Sequence, residues 1–205
     1  YVGTNTGDIS NLIVQNIDGT NQRTLAEVPG YAYLSYSPKN EHLAIMQSKS
    51  QAVSADGQLS IFNVRRDSKV QLPETDIIAF FWSPNGKRIA YMVPARFNDD
   101  QRLNLEPYFA RQQDLLYVEL RVYNVSSGDS WKIVQFPITE IFLRNYLPFF
   151  DQYQRSSTIW SPDSRFITYS ALTTEGVPGI FVSSATGTLK PQIAGAGDYA
   201  LWSRR

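Results

Sequence analysis

Three segments of this chain align with one another without a gap: SPKNEHLAIM from Ser37, SPNGKRIAYM from Ser83 and SPDSRFITYS from Ser161. An aromatic residue stands immediately before each, Tyr36, Trp82 and Trp160, and Trp202-Ser203 begins a further copy in which Arg204 replaces the proline. The pattern is that of a β-hairpin. A strand ends at the aromatic residue, proline fixes φ for the turn, and Asn, Asp or Gly tolerates the conformation that follows. A second apolar strand (LAIM, IAYM, ITYS) then runs back.

The stretches downstream of these hairpins repeat as well. NLIVQNIDGTNQRTLA, LSIFNVRRDSKVQLP, YNVSSGDSWKIVQF and GIFVSSATGTLKPQIA each read as apolar strand, polar turn and second strand. Their turns fall at Asp18-Gly19, Arg66-Asp67, Ser127-Gly128 and Thr186-Gly187. Hairpin followed by hairpin makes four antiparallel strands per unit, the blade of a β-propeller. The expected fold is therefore all-β, a single domain over residues 1–205 with about four blades. Tyr91 and Tyr169 occupy matching places in their second strands, and Tyr1 reads as the same place. The chain thus opens within a second strand and ends with a first strand, YALWS. Two arrangements follow from this: a ring closed by pairing of the terminal strands, or an arc of a larger propeller.

The interval between Pro84 and Pro162 is longer than the others and contains two insertions, at about 94–114 and about 137–157. The first is polar and extends a hairpin; Arg96, Phe97, Arg102, Tyr108, Phe109 and Arg111 are its candidates for a partner-binding surface. The second is rich in aromatic residues, and Phe142, Tyr146, Phe149 and Phe150 are its candidates. Thr139 is placed to cap a helical turn that Pro148 is expected to end. These aromatics either plug space between blades or dock a partner, since aromatic side chains dominate interface hot spots.

The aromatic-Ser-Pro-Asp/Asn-Gly hairpin followed by an Asp-Gly-Thr-Asn turn resembles the WD40-like (PD40-type) repeats of the TolB family of bacterial envelope propellers. It is also similar to the propeller domains of prolyl-oligopeptidase-type serine peptidases. The Gly-His and Trp-Asp pairs of true WD40 repeats are not seen at the blade ends. Neither the additional α/β domain of TolB proteins nor the peptidases' hydrolase domain lies in this sequence. The resemblance implies a propeller that binds a protein, in the periplasm or elsewhere outside the cytoplasm.

Chemistry has few candidates. With 19 Lys and Arg against 19 Asp and Glu, the formal net charge is zero, and no basic excess is available for a nucleic acid backbone. No apolar run approaches the roughly 20 residues of a membrane-spanning helix. The chain has no cysteine, which removes disulfides and thiol nucleophiles. Its one histidine, His42, falls in the strand slot held by Arg88 and Phe166 in the other repeats. Ser37, Ser83 and Ser161 recur as turn residues, not nucleophiles. Asp99-Asp100 lacks the alternating ligand pattern of a calcium loop. Asn124-Val125-Ser126 matches a glycosylation acceptor but sits where the repeat requires a turn. The expected function is a non-catalytic scaffold that binds a protein or peptide, with no cofactor, metal or catalytic residue. The alternatives are the gating propeller of a peptidase or a small carbohydrate-active propeller.

Overall fold

The computed structural model describes residues 2–6, 9–39, 41–49, 56–96, 116–153 and 158–203. The repeat units become consecutive antiparallel sheets in the expected register. The first sheet comprises β1 (Val2–Thr6), β2 (Ile9–Val14) and β3 (Arg23–Pro29). The second comprises β4 (Tyr31–Tyr36), β5 (His42–Ser48), β6 (Gln58–Asn63) and β7 (Ser68–Gln71). β8 (Ala79–Trp82), β9 (Arg88–Pro94), β10 (Tyr117–Asn124) and β11 (Ser130–Pro137) form the third. The fourth holds β12 (Phe166–Leu172), β13 (Pro178–Ser184) and β14 (Gln192–Ala196), with a single bridge from Trp160 to Ile167 marking its first strand. β8 is buried along its whole length, whereas β7 and β14 are exposed outer strands.

The serine turns share two hydrogen bonds. The N–H groups of Ser37, Ser83 and Ser161 donate at 2.9 Å to the carbonyls of His42, Arg88 and Phe166. The serine Oγ atoms accept in return from the N–H groups of those same residues, at 3.2, 2.9 and 2.9 Å. A side chain thus supplies what the tight turn denies the backbone. In blades three and four the turns close at Gly86 (φ 69°) and Ser164 (φ 61°), in the left-handed region that favours glycine.

The aromatic residue before each serine joins neighbouring blades. Trp82 Nε1 donates to the carbonyl of Ser35, Trp160 Nε1 to that of Phe81, and Trp202 Nε1 to that of Ile159, at 3.1, 3.0 and 3.1 Å. Each acceptor is the residue just before the aromatic position of the preceding blade. Trp82 and Trp160 are 4% and 0% exposed. Trp202 is only half-buried. It occupies the first-strand seat of a further blade, and among the described residues no ladder joins its segment to β1.

The second insertion enters the interior. Thr139 Oγ1 accepts a hydrogen bond from Phe142 N (3.3 Å), the cap expected from the sequence. The helical path does not end at Pro148. It continues from a π turn (Phe142–Tyr146) through a 3-10 turn (Leu147–Phe149) into a short α-helix, α1 (Phe150–Tyr153). Proline is accommodated because it enters at the start of a new turn, where its missing N–H is not needed. Phe142, Tyr146, Leu147 and Phe150 are buried. Phe150 packs on Tyr33 of β4 and on Phe80 and Phe81 of β8, while Tyr146 meets Phe81 and Tyr199. The segment is a plug between the first strands of successive blades.

The main core is continuous across blades two, three and four. Blade one joins blade two through a separate small cluster, with Leu12, Leu43, Ile45 and Phe62 at its centre, and through the Arg23–Asp67 ion pair. Trp160→Ala is expected to cost about 3–5 kcal/mol, through the cavity and the lost inter-blade bond, measured by urea unfolding. Trp202→Ala should cost less, because its ring is less buried. In hydrogen exchange, amides of β2 and β3 should exchange roughly tenfold or more faster than those of β9 and β10, since the smaller cluster opens below the global unfolding energy.

Candidate functional site

Strand direction places the points where both insertions leave blade three at one end of its sheet. In blade three Val118 pairs with Pro94, and Tyr117 with Pro137, so the β9–β10 connection and the exit from β11 lie at the same sheet end. The β7–β8 connection arrives there too. The serine turns lie at the opposite end. A cleft of about 400 Å³ opens on the insertion face, lined by Pro73, Glu74, Thr75, Asp76, Val93, Pro94, Arg96, Glu119 and Arg121.

Arg121 organises its floor. From β10 its guanidinium pairs with Glu119 through Nη1 and donates to Tyr91 Oη (3.1 Å) through Nε. Its Nη2 reaches Ser130 Oγ at 3.4 Å. Tyr91 Oη donates in turn to Glu74 Oε1 (2.9 Å), which lies 3.4 Å from Arg121 Nε. Lys132 Nζ stands 3.6 Å from Glu119 Oε2. This network fastens the β7–β8 connection to the middle of blade three. Glu74 Oε2 is buried with no hydrogen-bond partner. At the mouth, Arg96 Nη2 donates to Asp76 Oδ2 at 2.7 Å; the Arg96 side chain is 84% exposed and that of Asp76 only 19%.

Burial pushes the Tyr91 phenol up to about 12. Burial also pulls the Arg121 guanidinium down, but its bonds to Glu119 and Tyr91 outweigh that and leave it raised. Tyr169, stacked on Phe136 with ring centroids 4.4 Å apart, is likewise pushed up to about 12 by burial.

Of the residues singled out in the sequence, Arg96 lines the cleft. Phe97, Arg102, Tyr108, Phe109 and Arg111 lie outside the described residues. Phe142, Tyr146 and Phe150 are not free to meet a partner, because their rings fill the plug; Phe149 stays 44% exposed. His42 sits beside Asn63, with Nε2 3.4 Å from its Nδ2, and burial lowers its pKa. Its surroundings are structural. Ser37, Ser83 and Ser161 serve their turns. Asn124 Oδ1 accepts from the N–H groups of Ser126 and Ser127, so this side chain also shapes a turn. Among the described residues no three His, Cys, Asp or Glu side chains gather as a metal site would require.

The sequence reading missed Glu74, Asp76, Glu119 and Arg121. One signal was present. Arg121 pairs with Tyr91, and the corresponding pairs in blades two and four are Ser60 with Ile45 and Phe181 with Tyr169. A charge in the middle of an inner strand is rarely buried without partners.

The sequence matches no family model and no curated protein. Solved structures do match. Over 93% of its length the chain superposes on an acylaminoacyl peptidase from Pyrococcus horikoshii with a TM-score of 0.53 at 14% identity, covering 28% of that chain. On the tricorn protease it superposes over 92% of its length with a TM-score of 0.51 at 16% identity, covering 16% of that chain. The fold is that of a β-propeller. TolB from Acinetobacter baumannii is also matched, at 11% identity and a TM-score of 0.47, over 90% of this chain and 37% of that one. The chain spans less than half the length of these proteins. At such identities the similarity speaks for architecture alone. Among the described residues no helix is long and apolar enough to cross a membrane.

The Tyr91 and Tyr169 phenols carry a pH signature. Their folded pKa lies above the ordinary value near 10, so the folded state holds its protons where the unfolded chain releases them. Their stabilising contribution is whole below about pH 10 and is lost as the pH rises to about 12. Chemical denaturation across that window should show stability falling with pH, and Tyr91→Phe should flatten the slope.

Proposed function

We propose that this chain is a non-catalytic propeller module that binds a protein or peptide partner on the face bearing both insertions. The observation that carries the reading is the convergence, at one sheet end of blade three, of the strand ends from which the two insertions leave and the charged cleft. At the opposite end the described serine turns spend their polar groups on one another. Loops displayed on a rigid scaffold are where binding function concentrates, and the cleft offers what a peptide can use. Pro73, Val93 and Pro94 supply apolar wall, and Asp76 with Arg96 supplies an ion pair at the mouth. Because Arg96 is largely exposed, its pairing contributes on the order of 1 kcal/mol or less and yields readily to a competing group. The cell-envelope location implied by the repeat's resemblance belongs to the same proposal.

Photo-crosslinking separates the faces. A photoreactive residue at Arg96 or Ile141 should capture a common partner from envelope extract, while one at Arg66 or Lys87, on the opposite end, should not. Capture from the Arg66 and Lys87 positions alone, or equally from both ends, would refute the assignment.

A further inference from the structure

Asn85-Gly86 is the only Asn-Gly pair in the sequence, and it sits in the serine turn of blade three. Asparagine before glycine is the pair most open to intramolecular attack by the following backbone nitrogen, because glycine has no side chain to obstruct the approach. Here that attack is held off by four contacts. Gly86 N–H is committed to the carbonyl of Ser83 at 2.8 Å. Asn85 Oδ1 accepts from Lys87 N at 3.0 Å and lies 2.9 Å from Ser83 Oγ. The fourth contact comes from the next blade: Asn85 N donates to Ser164 Oγ at 3.1 Å.

We propose that Asn85 is a latent deamidation site, kept closed by the turn stack between blades three and four and opened when that stack parts. In the reaction Gly86 N bonds to Asn85 Cγ while the Cγ–Nδ2 bond breaks, and ammonia leaves. Water then opens the resulting succinimide at either carbonyl, giving aspartate or isoaspartate. No oxidant or reductant is involved.

The two products differ in what the blade can accept. Blade four already carries an aspartate at this position. Asp163 Oδ1 accepts from Ser161 Oγ (2.6 Å) and Arg165 N (3.0 Å), the contacts that Asn85 Oδ1 makes with Ser83 and Lys87. The aspartate product therefore fits the turn. Isoaspartate adds a methylene to the main chain between Ser83 and Arg88, whose backbone groups pair at 2.9 Å, and cannot keep that pairing. The modification thus converts a blade turn either to its neighbour's form or to a broken one.

The test is peptide mapping by mass spectrometry, with fragmentation that distinguishes the two acids, after incubation in mildly alkaline buffer. Asn85 in the native protein is expected to convert roughly tenfold or more slowly than in urea, with Asn124, which precedes the branched Val125, as the slow internal reference. Ser164→Gly removes the hydroxyl and suits a backbone with φ of 61°; it should fold and convert Asn85 several-fold faster than wild type. Asn85→Asp should retain the wild-type melting temperature within a few degrees. Conversion in the native protein at the urea rate would overturn the protection. A Ser164→Gly rate equal to wild type would overturn its dependence on the neighbouring blade.

Discussion

A single indole N–H bonded across to the preceding blade sets the spacing of this molecule. A sheet alone does not specify how the next one should lie against it, because apolar packing is non-directional. The Trp82–Ser35, Trp160–Phe81 and Trp202–Ile159 bonds supply the missing direction. Each joins a side chain to a backbone carbonyl in a first strand, so the position of one blade follows from that of the last. The large rings fill the space between blades, and the hydrogen bond selects the register in which they do so. Towards the outside a second set echoes it. Trp131 Nε1 donates to the carbonyl of Ala185 at 3.1 Å, and Arg23 Nη2 reaches that of Val64 at 3.4 Å.

The fold was legible because repetition turns weak local signals into strong ones. One Ser-Pro-Asn-Gly hairpin is ambiguous, whereas three copies with an aromatic residue in the same place fix strand order and pairing together. The cleft was not legible for the converse reason. Glu74 lies in a connection and Glu119 and Arg121 within a strand, so no spacing in the chain announces that they meet. Their meeting depends on the return of the β7–β8 connection beside β10, a long-range consequence of blade geometry. The charged residues in β10 were a departure from the repeat, and such departures are where a blade stops being generic.

The plug illustrates how propensity yields to context. Pro148 marks the end of a helix when read locally, yet a change from π to 3-10 geometry lets the helical backbone continue past it. Such irregular turns are poor in isolation and persist where aromatic burial holds them. Phe150 against Tyr33, Phe80 and Phe81 provides that hold.

The same plug changes what the interior of the molecule is. First strands that would line an open passage are here faced by Phe150 and Tyr146, and the region is buried and aromatic. Solutes and chain ends cannot thread between these strands without expelling the segment at the cost of its buried rings. Between these strands the scaffold is therefore a filled pedestal rather than a conduit.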